Sequence, residues 1–182
     1  MGTYYIDMPD LYINQEEINK FLEDKTGWTE ITPEAEHHGY VQYYKKWEPE
    51  WLTKQLLPIW SYMGILVAAR AGEQLIPHVD NGRTAGILIP CTKSYEENTL
   101  DFWNIPNHEW HVGEQQKFHE HSQGTIIESV KYTKPILFKN IPHGVDNTKS
   151  KYDRTNFSVC FMEPYSYEVL KDLYERKLLV RS

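Results

Sequence analysis

MGILVAARAGEQLIPHVDNGRTAGILIP, residues 63–90, decides how the rest of the chain is read. Its apolar residues fill runs of strand length. The breaks fall on Gly72 and on Asn81-Gly82, residue types that supply the backbone freedom of tight turns. Candidate strands are therefore Gly64–Arg70, Glu73–His78 and Thr84–Pro90. The longest apolar run, Met63–Ala69, is far short of the roughly 18 residues that a membrane-crossing helix requires, so no membrane span is expected.

Outward from this stretch the same texture continues. Thr99–Asn104, Thr125–Tyr132, Pro135–Asn140 and Asn156–Glu163 read as further short strands, punctuated by Pro106-Asn107 and Gly124. Helical spacing appears only at the ends. Gln15–Lys25 places Ile18, Phe21 and Leu22 on one side behind the cap Asn14. Glu50–Tyr62 carries Trp51, Leu52, Leu56, Ile59 and Trp60, with Pro58 able to bend or end it. Ser166–Leu178 places Val169, Leu170, Leu173 and Tyr174 on one side behind Ser166. About eight short antiparallel strands flanked by helices point to a mainly β chain, folded as a double-sheet jelly roll or cupin-like barrel. One domain spanning 1–182 is expected, with a helical front end over residues 1–62, a barrel core 63–163 and a C-terminal helix 166–178.

Composition narrows the function classes. Hydrophobic residues make up 40% of the 182 and aromatics 14%, enough for a sizeable core. The formal net charge of −7, without Lys/Arg blocks, disfavours nonspecific binding to a polyanion, which works by neutralising phosphates with basic side chains. The N-terminus lacks the basic and apolar regions of a secretory signal, and only Cys91 and Cys160 are present, far apart. Two free thiols in a reducing cytoplasm are expected.

The chemistry gathers at the ends of strands. Of eight histidines, only His78 is followed two residues later by a carboxylate, Asp80. On a strand, residues i and i+2 share a face, so one strand end can offer two adjacent metal ligands. His143 follows 65 residues later in ILFKNIPHGVDN, at the end of another strand. Two histidines and one carboxylate make a facial triad that leaves coordination positions open for substrate and O₂, whereas a structural zinc site is closed by four ligands. The pair alone is weak, because a His-x-Asp match in a histidine-rich chain arises readily by chance.

Arg154, eleven residues after His143, opens RTNFSVCF. If this is a strand, Arg154, Asn156 and Ser158 share a face. An inward guanidinium is costly unless it meets an anion, and its planar fork suits a carboxylate held bidentately, with Ser158 or Asn156 adding a hydrogen bond.

The ordered set His78, Asp80, His143 and Arg154 resembles the Fe(II)/2-oxoglutarate-dependent dioxygenases, whose pattern is His-x-Asp, a long gap, a distal His and an Arg on the next strand. The likeness extends to the Gly-containing turn before IPHVD, to AGILIP, and to PILFKNIPHGVDN before the Arg, and covers roughly residues 63–163. PHGVDN with its following Arg is similar to segments of the prolyl and the aspartyl/asparaginyl hydroxylase branches. The resemblance implies a double-stranded β-helix with Fe(II) held by His78, Asp80 and His143. It further implies 2-oxoglutarate anchored through Arg154, O₂ as oxidant, and hydroxylation of a C–H bond in a small molecule or a peptide side chain.

Other residues carry lesser claims. Arg83, in the turn after the His-x-Asp pair, is a candidate contact for an anionic substrate or for 2-oxoglutarate. Trp103, with Asp101, is a candidate pocket-lining residue. Asp146 and Asn147 read as turn residues, with help to His143 possible for either. His119 and His121 offer an alternative metal pair in a cupin-like enzyme that uses no 2-oxoglutarate. A non-catalytic β-sandwich would need none of these ligands.

Overall fold

A computed structural model describes residues 4–31, 42–92, 97–105, 111–112, 116–118 and 124–181. In chain order the elements are β1 (Tyr5–Asp7), α1 (Gln15–Glu23), β2 (Thr29–Ile31), β3 (Gln42–Lys46), α2 (Glu50–Thr53), β4 (Tyr62–Ala69), β5 (Gln74–Asp80), β6 (Ala85–Pro90), β7 (Thr99–Asn104), β8 (His111–Val112), β9 (Gln116–Phe118), β10 (Thr125–Val130), β11 (Ile136–Lys139), β12 (His143–Asp146), β13 (Arg154–Phe161) and α3 (Tyr167–Glu175). The strands form two antiparallel sheets, ordered β1-β11-β6-β13-β4-β3-β2 and β10-β7-β12-β5-β9-β8. The chain is thus mainly β.

Strand β13 shows how the layers arise. All eight of its residues are buried, so both faces are covered. Phe157, Val159 and Phe161 join a core with Met63, Ile65, Ile87 and Ile89 of the same sheet and with Ile18, Leu52 and Leu170 of the three helices. The helices therefore back the outer face of the larger sheet. The other face looks toward the second sheet. There Ala68, Leu88 and Phe138 pack with Leu75, Leu100, Phe102 and Val145. On this inner face β13 contributes Arg154, Asn156 and Ser158, polar residues buried between two sheets.

The strand expectations hold in kind, with shifted ends. Glu73–His78 runs on to Asp80, and Asn156–Glu163 starts instead at Arg154. The front end, expected to be helical over 1–62, also supplies β1, β2 and β3 to the larger sheet. These three- to five-residue strands are too short for a periodic signal, and pairing with β11 and β4 decides their state.

The expected helix Glu50–Tyr62 is a single turn, α2. Beyond it Leu56 bridges Val180, Leu57 N–H donates to Leu179 O at 2.9 Å, and Arg181 N–H donates to Gln55 O at 2.7 Å. Pro58 cannot donate and holds the residue before it extended, which favours pairing with the C-terminal tail over further helix. In α3 Leu170 is buried but Val169 faces solvent. Ser166 caps this helix, its side chain accepting from Val169 N–H at 3.3 Å. Cys91 and Cys160 are both buried free thiols. Among the described residues no helix is long and apolar enough to cross a membrane.

Candidate metal centre

Continuation of β5 to Asp80 puts His78 and Asp80 on one face of one strand. β12, which ends at Asp146 where turn residues were expected, is a strand lying antiparallel between β5 and β7, with His143 directly across from His78. Cross-strand partners point to the same side, so the second imidazole joins the first. The ring centroids stand 4.3 Å apart.

Two devices fix this local geometry. Gly82, with φ of +73°, turns the chain sharply after Asp80. Asn140 then ties the turn: its Oδ1 accepts from Asp80 N–H at 3.2 Å, and its Nδ2 donates to Asp80 O at 2.9 Å and Arg83 O at 2.8 Å.

Each histidine is oriented from behind. His78 Nδ1 lies 3.0 Å from Ile76 O, and His143 Nδ1 lies 2.7 Å from Ile141 O. A carbonyl only accepts, so Nδ1 carries the proton in both rings and Nε2 keeps its lone pair. Asp80 Oδ1 stands 3.9 Å from His78 Nε2, and Asp80 Oδ2 stands 3.8 Å from His143 Nε2. Burial pushes the basicity of both rings down, His143 to about 3 with the neighbouring His78 adding to the effect. His78 is 2% exposed and His143 5%. The rings are thus neutral, the state a metal ligand needs.

The three candidate ligand atoms lie within 4.8 Å of one another, close enough to hold one metal ion. Ligands bonded at about 2.1 Å in adjacent coordination positions sit about 3 Å apart, so closing on an ion requires shifts of no more than about 1–2 Å. Among the described residues this is the one group of three or more His, Cys, Asp or Glu side chains that meets that condition.

Arg83 is placed beneath the carboxylate. Its Nη1 lies 2.7 Å from Asp80 Oδ2, its Nη2 donates to Ser158 Oγ at 3.3 Å and to Cys160 Sγ, and its guanidinium lies over the Phe138 ring. Burial opposes its charge, but Asp80 and the neighbouring Cys160 and Tyr62 favour it, and the pKa stays above the ordinary arginine value. The expected substrate contact is therefore a side chain already engaged with a candidate ligand, although it also lines the cavity.

That cavity lies between the sheets. Leu66, Leu88, Phe138 and Ser158 come from the larger sheet, and Leu75, Leu100 and Val145 from the smaller. His78, Asp80 and His143 share its wall, and Arg154 and Asn156 also line it. Arg154 is 1% exposed. Its Nη1 donates to Asn98 Oδ1 and, at 3.0 Å, to Thr99 O, while its guanidinium stacks over the Tyr132 ring at 5.1 Å. These three neighbours are neutral. Asn156 is 3% exposed, and its Nδ2 has no hydrogen-bond partner among the described residues. A buried amide left so costs about 1–3 kcal/mol, which an anionic or carbonyl oxygen in the cavity would recover.

Trp103 is placed differently from its expected role. Leu100 of β7 lines the cavity, and strand alternation sends Asp101 and Trp103 to the opposite face, where Asp101 accepts from Ser129 Oγ at 2.6 Å. Tyr132 and Asn98 were missed by sequence reasoning. Tyr132 lies just past a strand end, and Asn98 sits in a polar stretch with no motif to mark it. His119 and His121 lie outside the described residues, as do His37, His38 and His108.

No family model matches this chain, and no curated protein matches it. Among solved structures it is similar to the X-ray structure of E. coli ycfD, at 14% sequence identity and a TM-score of 0.44, covering 97% of this chain and 55% of that one. The chain thus spans about half the length of that protein.

Proposed function

We propose that this chain is an Fe(II)- and 2-oxoglutarate-dependent oxygenase that hydroxylates a C–H bond of a small molecule or a peptide side chain. One observation carries the reading. His78, Asp80 and His143 converge on a single point, and a buried arginine lines the same cavity. In this reading the two facing sheets are the halves of a double-stranded β-helix.

The residues present fit the cofactor and co-substrate. Two neutral imidazoles and one carboxylate suit a first-row divalent ion while leaving coordination positions open. His78 Nε2, His143 Nε2 and an Asp80 oxygen would hold the iron, and Arg154 would take the far carboxylate of 2-oxoglutarate. The amide of Asn156, which lacks a partner among the described residues, and the hydroxyl of Ser158 line the same cavity. When bound, iron with 2-oxoglutarate and O₂ supplies the oxidising power, coupled to release of succinate and CO₂.

The chain's own role is binding, orientation and exclusion of water. Ile76 O and Ile141 O keep both imidazoles aimed inward. Arg83, 2.7 Å from Asp80 Oδ2, holds the Asp80 carboxylate in place beside the histidines. Leu66, Leu75, Leu88, Leu100 and Val145 form apolar walls that strengthen electrostatic contacts within the cavity.

The test is a titration of the full chain with Mn(II), then with 2-oxoglutarate, followed by succinate measurement with Fe(II). Joint binding is expected, with metal affinity lost in His78→Ala and Asp80→Ala. Absence of joint binding refutes the proposal. Metal affinity that survives these changes but vanishes in a His119→Ala/His121→Ala variant would establish the cupin-like alternative.

A further inference from the structure

The arginine beneath Asp80 is held by two strands at once. Arg83 Nη1 lies 2.7 Å from Asp80 Oδ2, whereas Nη2 donates to Ser158 Oγ at 3.3 Å and to Cys160 Sγ. Ser158 and Cys160 stand two apart on β13, so they share its inner face and reach the same nitrogen. Their own polar atoms are 3.6 Å apart and hydrogen-bond each other. Ser158 is 4% exposed, Cys160 0% and the Arg83 side chain 9%, so protein atoms rather than bulk water hold Nη2.

The floor beneath the guanidinium is fitted as well. Cys160 lies between Tyr62 of β4 and Gly86 of β6 in the sheet register, and Tyr62 adjoins both Cys160 and Arg83. A Cβ at Gly86 would meet Phe138 Cε1 at 2.6 Å, so only glycine lets that ring approach β6 so closely. The guanidinium sits over the same ring, 5.8 Å from its centroid. One prong of the fork is thus given to a candidate metal ligand and the other to β13.

A divided fork is not the strongest pairing an arginine can make with a carboxylate. That pairing is bidentate, two parallel N–H···O bonds to both oxygens. At Asp80 it would set donors against both oxygens, and an ion would have to displace one of them. With Nη2 turned to β13 the guanidinium meets Asp80 through Nη1, and the carboxylate can turn an oxygen to an ion between the two histidines. Without acceptors on β13, Nη2 would be a buried donor in need of a partner, and Asp80 offers one within reach of the fork.

We propose that Ser158 and Cys160 are positioning residues for the candidate metal centre: by taking up Nη2 they keep the Arg83 fork from closing on Asp80. This rests on the metal half of the oxygenase reading. It also gives the two ends of the inner face of β13 different tasks, with Arg154 and Asn156 serving the co-substrate and Ser158 and Cys160 serving the metal.

The experiment reads Mn(II) affinity from the electron paramagnetic resonance signal of free Mn(II) during titration of the full chain, without 2-oxo acid. Ser158→Ala/Cys160→Val removes both acceptors and should raise the dissociation constant about 10-fold, the lower end of the loss when a group that orients a metal ligand is removed. Ser158→Ala/Cys160→Ser keeps an acceptor at position 160 and should recover most of that loss. In an Arg83→Met background, Ser158→Ala/Cys160→Val should change Mn(II) affinity no further, because no fork remains to close. A role in folding alone would weaken binding alike in both backgrounds.

Ser158→Ala by itself, which exchanges a hydroxyl for a hydrogen, should weaken Mn(II) binding several-fold and carries the test if the double variant does not fold. Folded variants that bind Mn(II) like wild type, or that lose as much affinity in the absence of Arg83, overturn this inference and spare the oxygenase reading. A wild type that binds no Mn(II) overturns both.

Discussion

Gly144→Ala probes the spacing on which the candidate metal centre depends. Gly144 lies between His143 and Val145 on β12, and a Cβ built there meets Leu75 O at 2.8 Å, Pro77 N at 3.2 Å and Ile76 C at 3.3 Å. All three atoms are backbone of β5, the strand that bears His78 and Asp80. Backbone in a paired strand cannot rotate aside as a side chain can. Restoring an ordinary contact of about 3.4 Å to Leu75 O requires β12 to retreat by about 0.6 Å, a displacement of the size that a constellation of ligands tolerates poorly.

Overpacking of this kind costs about 1–3 kcal/mol, which for a chain of this length lowers Tm by roughly 2–12 °C. Because the retreat carries His143 away from the pair across from it, Mn(II) affinity should fall about 10- to 100-fold, as for the loss of a group that orients a ligand. The assay is the electron paramagnetic resonance signal of free Mn(II) during titration, beside a thermal melt of the metal-free protein. Gly72→Ala is the control. Its Cβ would meet nothing within 4 Å, but φ is +81°, so it strains the turn between β4 and β5 without touching a ligand strand. It should lower Tm and leave Mn(II) affinity within about twofold. A Gly144→Ala protein that binds Mn(II) like wild type would refute the argument that the β5–β12 distance sets the site.

Two further outcomes follow from the same structure. Arg83→Met removes the guanidinium 2.7 Å from Asp80 Oδ2 and leaves a largely but not fully buried carboxylate without that cation, at a cost of up to about 3–5 kcal/mol in the metal-free protein. Mn(II), by restoring positive charge beside Asp80, should then raise the Tm of the variant by more degrees than it raises that of wild type; an equal or smaller rise in thermal melts contradicts the assignment. Burial pushes the Cys91 thiol up to about 12, so at pH 8 it is protonated and unreactive as well as inaccessible. Iodoacetamide followed by mass spectrometry should leave Cys91 unmodified in the native protein and modify it in denaturant, and fast native labelling would show the burial to be wrong.

Much of the candidate site was legible before any fold was known because its candidate ligands lie on strand ends with period-two spacing. His78 and Asp80 share a face wherever that segment is extended, and Arg154, Asn156 and Ser158 do likewise on β13. Residues whose roles depend on who lies opposite were not legible. Arg83 read as a turn residue that could meet an anionic substrate or 2-oxoglutarate or form an ion pair, and only the fold of that turn brings it onto Asp80. Trp103 read as a lining residue because alternation gives two faces but not which of them looks inward; the packing of Leu100 and Phe102 against the other sheet decides it. Asn98 had no local signal, since its partners Arg154 and Asn147 are 56 and 49 residues away.

What the amino-acid order determined by itself is local: turn residues that cut the chain into short strands, helix caps at Asn14 and Ser166, and pairs of side chains two apart that must face one way. What only the tertiary structure decided is which strands become neighbours. The register of β12 against β5 sets His143 across from His78, and pairing of Leu56 and Leu57 with the C-terminal tail ends the helix where the apolar spacing suggested it would continue. The physical reason is that side-chain periodicity is a property of one segment. Register and burial are free-energy balances between segments distant in the chain, settled only when both faces of β13 are covered at once.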